Sequence, residues 1–280
     1  MRSSCALQRC QRADFYGQTR TMPATTPRIL IAIPVFNEEK SVERVLLQVA
    51  RYAAQFNGDV MVIDDGSTDS TPSLLAKHPV EVIRHGNNRG YGRAMRDMLE
   101  WADFRGYDWV ISMDCDEQHE PASLPTFAAA AAQCDADIVS GSRYIDESLP
   151  GDPAPEDRRH INALLTQELN QRLSLGITDA FCGYKAYRAA PCAALSLDAN
   201  GYEFPMQFWV QARAAGLRVR ELPVRRIYVD MTRTFGGGLD EPSRRLAAYR
   251  ETMHREIRRC ARRLPVRAMD GLNEMLGAHA

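Results

Sequence analysis

An α/β fold, with a mostly parallel sheet and helices on both faces, is the architecture this sequence predicts, and three observations predict it. Short runs rich in Ile and Val alternate with longer amphipathic stretches between residues 28 and 141. The runs carry few polar residues inside them, as strands covered on both faces do. Their carboxyl ends are dense in Asp, Glu, Asn and Gly, and it is beyond the carboxyl ends of its strands that a parallel sheet opens a ligand crevice.

Taken in order, strands are expected at residues 28–34 (RILIAIP), 59–63 (DVMVI), 80–84 (VEVIR), 109–113 (WVISM) and 137–141 (DIVSG). Helices are expected at 39–56, 70–78, 90–105 and 121–133, long enough to cross from one strand to the next. The segment 145–157, rich in Pro and acids, reads as a loop, and a helix follows at 159–175. Residues 178–188 read as a turn, 203–215 as a helix, and 218–222 and 224–229 as strands. Three glycines at 236–238 make a flexible break before an arginine-rich helix at 242–263. The domain reading is an arm at 1–27 outside the native fold, with Met22 as a candidate start. A catalytic domain spans 28–238, and an arginine-rich C-terminal helix and tail spans 239–280.

Composition bounds the function. The 280 residues are 45% apolar and 25% charged, as in a globular protein. A formal net charge of −1 offers no general field for a polyanion, so nucleic acid is not expected as a partner. Three of the 35 basic residues are lysines, Lys40, Lys77 and Lys185, and the rest are arginines, a bias that genome composition accounts for. The seven cysteines are scattered without CxxC spacing, which argues against a zinc site or disulfide framework and for a reducing, cytoplasmic setting. No apolar run is long enough to cross a membrane, and residues 1–27 lack the continuous apolar stretch of a signal peptide.

The chemistry concentrates at the strand ends. Asp114 and Asp116 flank one residue directly after WVISM. Such a pair can hold Mg²⁺ or Mn²⁺, ions that take a few carboxylates and complete their shell with phosphate oxygens. A solvated acidic turn has the same spelling, so context decides. Asp64 and Asp65 end the second strand and can accept hydrogen bonds from a nucleobase or ribose. Ser67 or Thr68 in the same segment can cap the next helix. Glu38 ends the first strand, where it can take a ribose hydroxyl or favour a helix N-terminus. Asn88-Arg89-Gly90-Tyr91-Gly92 offers backbone N–H groups and small residues before a helix, without the spacing of a dinucleotide fingerprint.

The segments IPVFNEE, VIDDGSTDST, NNRGYGRAM, MDCDEQHEP, SGSRY and DAFCGYKAYR occur in the order and spacing of the family 2 glycosyltransferases. Within these the chain most resembles the polyprenyl- and dolichyl-phosphate mannose and glucose synthases, over residues 28–233. The resemblance implies a GT-A (Rossmann-like) fold, a nucleotide-diphosphate sugar as donor, a divalent metal and inverting transfer. Carried over by position, it implies that Pro34, Phe36 and Glu38 hold the nucleoside and that Ile63 and Asp65 contact base and ribose. It implies that Asp114 and Asp116 take metal and diphosphate, with Gln118 beside them, that Arg143 sits near the phosphates or sugar, and that Arg233 closes over the diphosphate. Two departures stand out. Leu239 falls where the family usually has a lysine, so one phosphate-binding charge is missing or Arg244 and Arg245 supply it, and Gln207 falls where the family often has a second acid.

The acceptor divides the mechanisms. A sugar hydroxyl needs a general base, for which Asp179 is the candidate. A polyprenyl phosphate needs cations instead, for which Arg143, Lys185 and Arg188 are the candidates. A nucleotidyltransferase is the reading from another class, disfavoured because an acidic PVFNEE follows the first strand in place of a basic Gly-rich loop. A non-catalytic nucleotide-binding relative is the third. Residues 243–267 add a membrane question: Leu246, Tyr249, Met253, Ile257 and Leu264 form an apolar stripe flanked by arginines. Such a stripe either rests on an anionic membrane surface, making the protein peripheral there, or packs on its own domain.

Overall fold

The computed structural model describes residues 26–133, 135–146, 148–229 and 234–272. Seven strands form one sheet: β1 (Ile29–Val35), β2 (Asp59–Asp64), β3 (Glu81–Arg84), β4 (Trp109–Ser112), β5 (Ile138–Ser142), β6 (Lys185–Arg188) and β7 (Val219–Pro223). Their order is β3-β2-β1-β4-β6-β5-β7. Every pairing is parallel except the two made by β6, which runs antiparallel between β4 and β5. The eight α-helices described are α1 (Val42–Ala53), α2 (Thr71–Leu75), α3 (Tyr91–Phe104), α4 (Leu124–Ala132), α5 (Glu156–Leu173), α6 (Ala189–Ala193), α7 (Phe204–Ala214) and α8 (Pro242–Cys260).

The pleat sorts alternate side chains to two cores. Ile29, Ile31 and Ile33 of β1 pack with Val45, Leu46 and Val49 of α1 and Phe127 of α4. Leu30 and Ala32 point the other way, to Met95 and Met98 of α3 in a core that α5, α7 and α8 complete. Helices therefore cover both faces, as the alternating sequence implies. The turn that starts α3 depends on Gly90, whose φ of 97° is open to glycine and where a Cβ would lie 2.3 Å from the Asn200 carbonyl oxygen.

Two elements differ from expectation. Residues 185–188, read as part of a turn, are strand β6, with Lys185 paired to Ser112 and Tyr187 to Ile138. Residues 224–229, read as a strand, are not one. The Asp152 amide donates to the Arg226 carbonyl at 2.8 Å, and the Tyr228 amide donates to the Asp152 carboxylate at 2.9 Å, so these groups serve a loop instead of a ladder. The arm before residue 26 and the tail after residue 272 lie outside the described residues. Cys115, Cys182, Cys192 and Cys260 are buried free thiols.

Helix α8 packs on α7 and α5. Tyr249, Met253 and Ile257 are buried in the shared core, with Leu246 and Leu264 packed at its edge. The apolar stripe is thus spent on the protein's own interior, which removes the apolar face that a bilayer contact by this helix needs. Several arginines are likewise engaged. Glu168 of α5 accepts from Arg172, Arg250 and His254 at 3.0, 2.9 and 2.7 Å. Burial alone would raise its carboxyl, yet these donors hold it at about 2. Gln207 joins α7 to α8. Its oxygen accepts from the amides of Asp198 and Ala199 at 2.8 Å, and its nitrogen donates to Glu256 at 2.9 Å. Glu256 is fully buried, so a carboxylate in place of Gln207 would face it without a donor between them. That is the physical reason an amide suits this position.

Candidate functional site

A cavity of about 730 Å³ opens beyond the carboxyl ends of β1, β2 and β4. One wall is acidic. Pro34, Phe36, Glu38 and Asp65 line it from the ends of β1 and β2, and Asp114, Asp116 and Gln118 line it from the loop after β4.

The first two strand ends interlock. The Asn37 amide donates to the Ser67 hydroxyl at 2.9 Å, the Glu38 amide to the Thr71 hydroxyl at 2.8 Å, and the Thr68 amide to the Asn37 side-chain oxygen at 2.8 Å. Asn37 adopts a left-handed φ of 56°, which its short polar side chain tolerates. Asp65 is buried, and its carboxylate accepts from the amides of Arg89 and Gly90, both at 2.8 Å. It also contacts His85 Nδ1 at 2.6 Å, while His85 Nε2 meets Asp97 at 2.7 Å. Asp65 therefore fixes the loop that enters α3. Phe36 is 41% exposed at the rim, a free aromatic face beside this wall.

The loop after β4 is held from several sides. Glu117, left-handed at φ 64°, forms an ion pair with Arg44 of α1. The Asp114 amide donates to His119 Nδ1 at 3.0 Å, so Nε2 carries the ring proton of the neutral form. Burial holds His119 neutral, with its pKa lowered to about 4. The His119 ring stacks on Tyr184, and Tyr184 stacks on Phe127, at centroid distances of 5.1 and 4.3 Å. Gly183 presses its backbone against the Asp114 carboxylate, where a Cβ would sit 2.5 Å from Oδ2. Asp114 and Asp116 remain half-buried and face the cavity. Among the described residues, no cluster of three or more His, Cys, Asp or Glu side chains could hold a metal unaided. Two carboxylates suit Mg²⁺ or Mn²⁺ only when a ligand such as a diphosphate completes the shell.

The opposite wall is cationic and aromatic. Arg143, after β5, lines the cavity and makes a bidentate pair with Asp179, at 2.7 and 2.9 Å. Asp179 is fully buried and also accepts from Asn162 at 2.8 Å and from the amides of Phe181 and Cys182, both at 3.1 Å. Burial by itself would raise the Asp179 carboxyl, but Arg143 and these donors hold it well below the usual carboxylate range. Lys185 is buried in the same wall, with Nζ 5.5 Å from the Trp209 ring centroid, and burial lowers its pKa. Arg158 and Arg245 both lie over the Phe235 ring, at 4.8 and 4.5 Å from its centroid.

Most of the residues singled out from the sequence thus line one cavity. Ile63 does not: it is 1% exposed within the α3 core, so any ligand contact there falls to its neighbours. Asp179 sits behind Arg143 and is absent from the cavity surface. Arg188 pairs with Asp137, and Arg244 pairs with Glu241; neither lines the cavity, whereas Arg245 and Leu239 do. Arg233 lies outside the described residues. Arg158, Tyr202 and Gly183 also line the site and were not read from the sequence. The Gly before Tyr184 was the available signal for close backbone approach.

Three comparisons bear on this geometry. The profile of the family described as Glycosyl transferase family 2 matches residues 30–195. The chain is 33% identical over 208 residues to the undecaprenyl-phosphate mannosyltransferase of Micrococcus luteus, covering 70% of this chain and 82% of that one. It is 30% identical over 226 residues to the polyprenol monophosphomannose synthase of Mycolicibacterium smegmatis, covering 76% and 83%. Among solved structures it is similar to glucosyl-3-phosphoglycerate synthase from Mycobacterium tuberculosis, crystallised with Mn²⁺, uridine diphosphate and glucosyl-3-phosphoglycerate. That likeness has a TM-score of 0.64 at 19% identity, covers 85% of this chain and 81% of the other, and concerns the fold.

Proposed function

The chain belongs to glycosyl transferase family 2 and is a glycosyltransferase, and from that premise we propose that it moves a hexose, with inversion, from a nucleoside diphosphate sugar to a polyprenyl phosphate. Family membership sets aside the nucleotidyltransferase and the non-catalytic readings. The observation that carries the proposal is the division of one cavity into an acidic wall and a cationic wall, with Asp179 bound as a counter-ion to Arg143.

In this reading the nucleoside lies along the acidic wall. Phe36 offers its exposed ring to the base, Glu38 takes a ribose hydroxyl, and Asp65 acts by holding the 87–90 loop in place. Asp114 and Asp116, with Gln118 beside them, hold Mg²⁺ or Mn²⁺, which supplies Lewis-acid neutralisation of charge on the departing diphosphate. Arg143 and Lys185 orient the acceptor phosphate at the other wall, aided by Arg158. A phosphate oxygen then attacks the anomeric carbon, the bond from that carbon to the diphosphate breaks, and the nucleoside diphosphate leaves with the electron pair. No proton need be removed from the nucleophile, which matches a site whose buried carboxylate is committed to an arginine. Names of the two mannosyltransferase relatives support a lipid-phosphate acceptor.

Donor binding is testable without the acceptor. Thermal unfolding with GDP- and UDP-hexoses is expected to show a shift that needs Mn²⁺ or Mg²⁺. A sugar nucleotide at 100 times its dissociation constant adds about 2.7 kcal/mol, or roughly 5–10 °C for a domain of this size. A shift of equal size in the absence of any divalent ion and in Asp116→Asn would overturn the metal assignment.

A further inference from the structure

Beside the main cavity lies a second one of about 220 Å³, and Arg143 lines both. Its wall brings together three arginines from separate parts of the chain: Arg143 after β5, Arg159 in the first turns of α5, and Arg226 after β7. The guanidiniums of Arg143 and Arg226 lie over the ring of Tyr144, each 5.7 Å from its centroid. Arg226 is held in place by the neighbouring loop: it donates through Nε to the Asp152 carbonyl, and Gly151 packs so closely that a Cβ there would be 3.0 Å from the Arg226 carbonyl oxygen. Asp146 is the one carboxylate of this wall among the described residues; its Oδ1 accepts from the amide and hydroxyl of Ser148, at 3.0 and 2.6 Å, and it leaves the wall with more guanidiniums than carboxylates. Asp179 balances Arg143 from within the core. Among the described residues no carboxylate pairs with Arg159 or Arg226.

We infer that this second cavity is a binding site for a phosphate dianion, as inorganic phosphate or as the head of a phosphate monoester. Guanidiniums around one concave wall present forked donors that match phosphate oxygens in pairs, and Arg159 and Arg226, which no described carboxylate pairs, favour an anionic ligand over a neutral one. The volume exceeds that of a lone phosphate and leaves room for the esterified group. Since Arg143 belongs to both cavities, an occupant here and an occupant of the main cavity share one cation. This site stands on its own geometry and does not rest on the transfer reaction proposed above.

The test is direct titration of the full chain, without donor, metal or turnover, against inorganic phosphate and against farnesyl phosphate by calorimetry. Wild type is expected to bind inorganic phosphate saturably, and Arg226→Gln and Arg159→Gln each to weaken it by about tenfold, the loss of one charge-assisted contact. Arg226 is half-buried and Arg159 exposed, and neither lines the main cavity, so the metal-dependent shift with a sugar nucleotide should survive in both variants. Farnesyl phosphate that binds much more tightly than inorganic phosphate, with the advantage lost in Arg226→Gln, would identify the lipid head group as the occupant. Equal affinities would identify free phosphate. Absence of saturable phosphate binding to wild type, or unchanged binding to a variant carrying both substitutions, would overturn the inference.

Discussion

Asp116→Ala is expected to lower hexosyl transfer by about 100-fold or more while leaving the fold intact. The carboxylate faces the cavity and accepts from the Gln118 amide at 3.1 Å. The loop around it is anchored elsewhere, by the Arg44–Glu117 ion pair and the stacked His119, Tyr184 and Phe127 rings. Its strand β4 is buried and paired on both edges, so truncating one solvent-facing carboxylate removes little packing. In the proposed mechanism what would be lost is a ligand for the divalent ion that would neutralise the leaving diphosphate, an interaction stronger in the transition state than in the ground state. The signature is therefore a fall in kcat, with unfolding in the absence of ligands unchanged. A folded variant with near wild-type turnover at saturating metal would remove Asp116 from the mechanism.

Asp179→Ala is expected to act first on stability. The side chain is fully buried and accepts six hydrogen bonds, two of them from the Arg143 guanidinium and one from the Arg143 amide. Removing it leaves a guanidinium without its counter-charge, a change that costs about 3–5 kcal/mol, or roughly 6–20 °C in Tm for a domain of this size. The sign with pH follows from the direction of the shift. A carboxyl held below its ordinary range stabilises fully above about pH 4, and that stabilisation is lost as pH falls further. The gap between wild type and Asp179→Ala should accordingly be constant near neutrality and narrow in strong acid. In the surviving folded fraction the acceptor KM should rise, because Arg143 is no longer held. A stable variant whose lost kcat returns on adding formate, with acceptor KM unchanged, would instead make Asp179 a general base.

How much of this was legible beforehand differs by element, for physical reasons. Strands such as IAIPV and VMVI announce themselves because burial on both faces demands unbroken apolar runs. Strand β6 was hidden: KAYR is four residues long, begins with a lysine, and becomes a strand through pairing with β4 and β5. Residues 224–229 had the composition of a strand, but beyond Val224, whose amide still reaches Ser142 of β5, the Arg226 carbonyl and the Tyr228 amide bond to Asp152 instead of a ladder. The acids at the strand ends could be placed at one site because topology brings the ends of a parallel sheet together. The fate of Asp179 could not be read from its turn-like surroundings, because its partner Arg143 lies 36 residues away. The stripe on α8 was legible as an amphipathic face, whereas the surface it covers was a question of tertiary packing.

The most direct test of the central claim is mass spectrometry of the lipid product. Purified protein is incubated with Mn²⁺, GDP- or UDP-hexose, and either a short-chain polyprenyl phosphate or the matching polyprenol. Attack by an acceptor phosphate predicts a hexosyl phosphopolyprenol from the phosphate, formed in step with nucleoside diphosphate release, and no product from the alcohol. Transfer to polyprenol or another hydroxyl, with the phosphate inert, would contradict it.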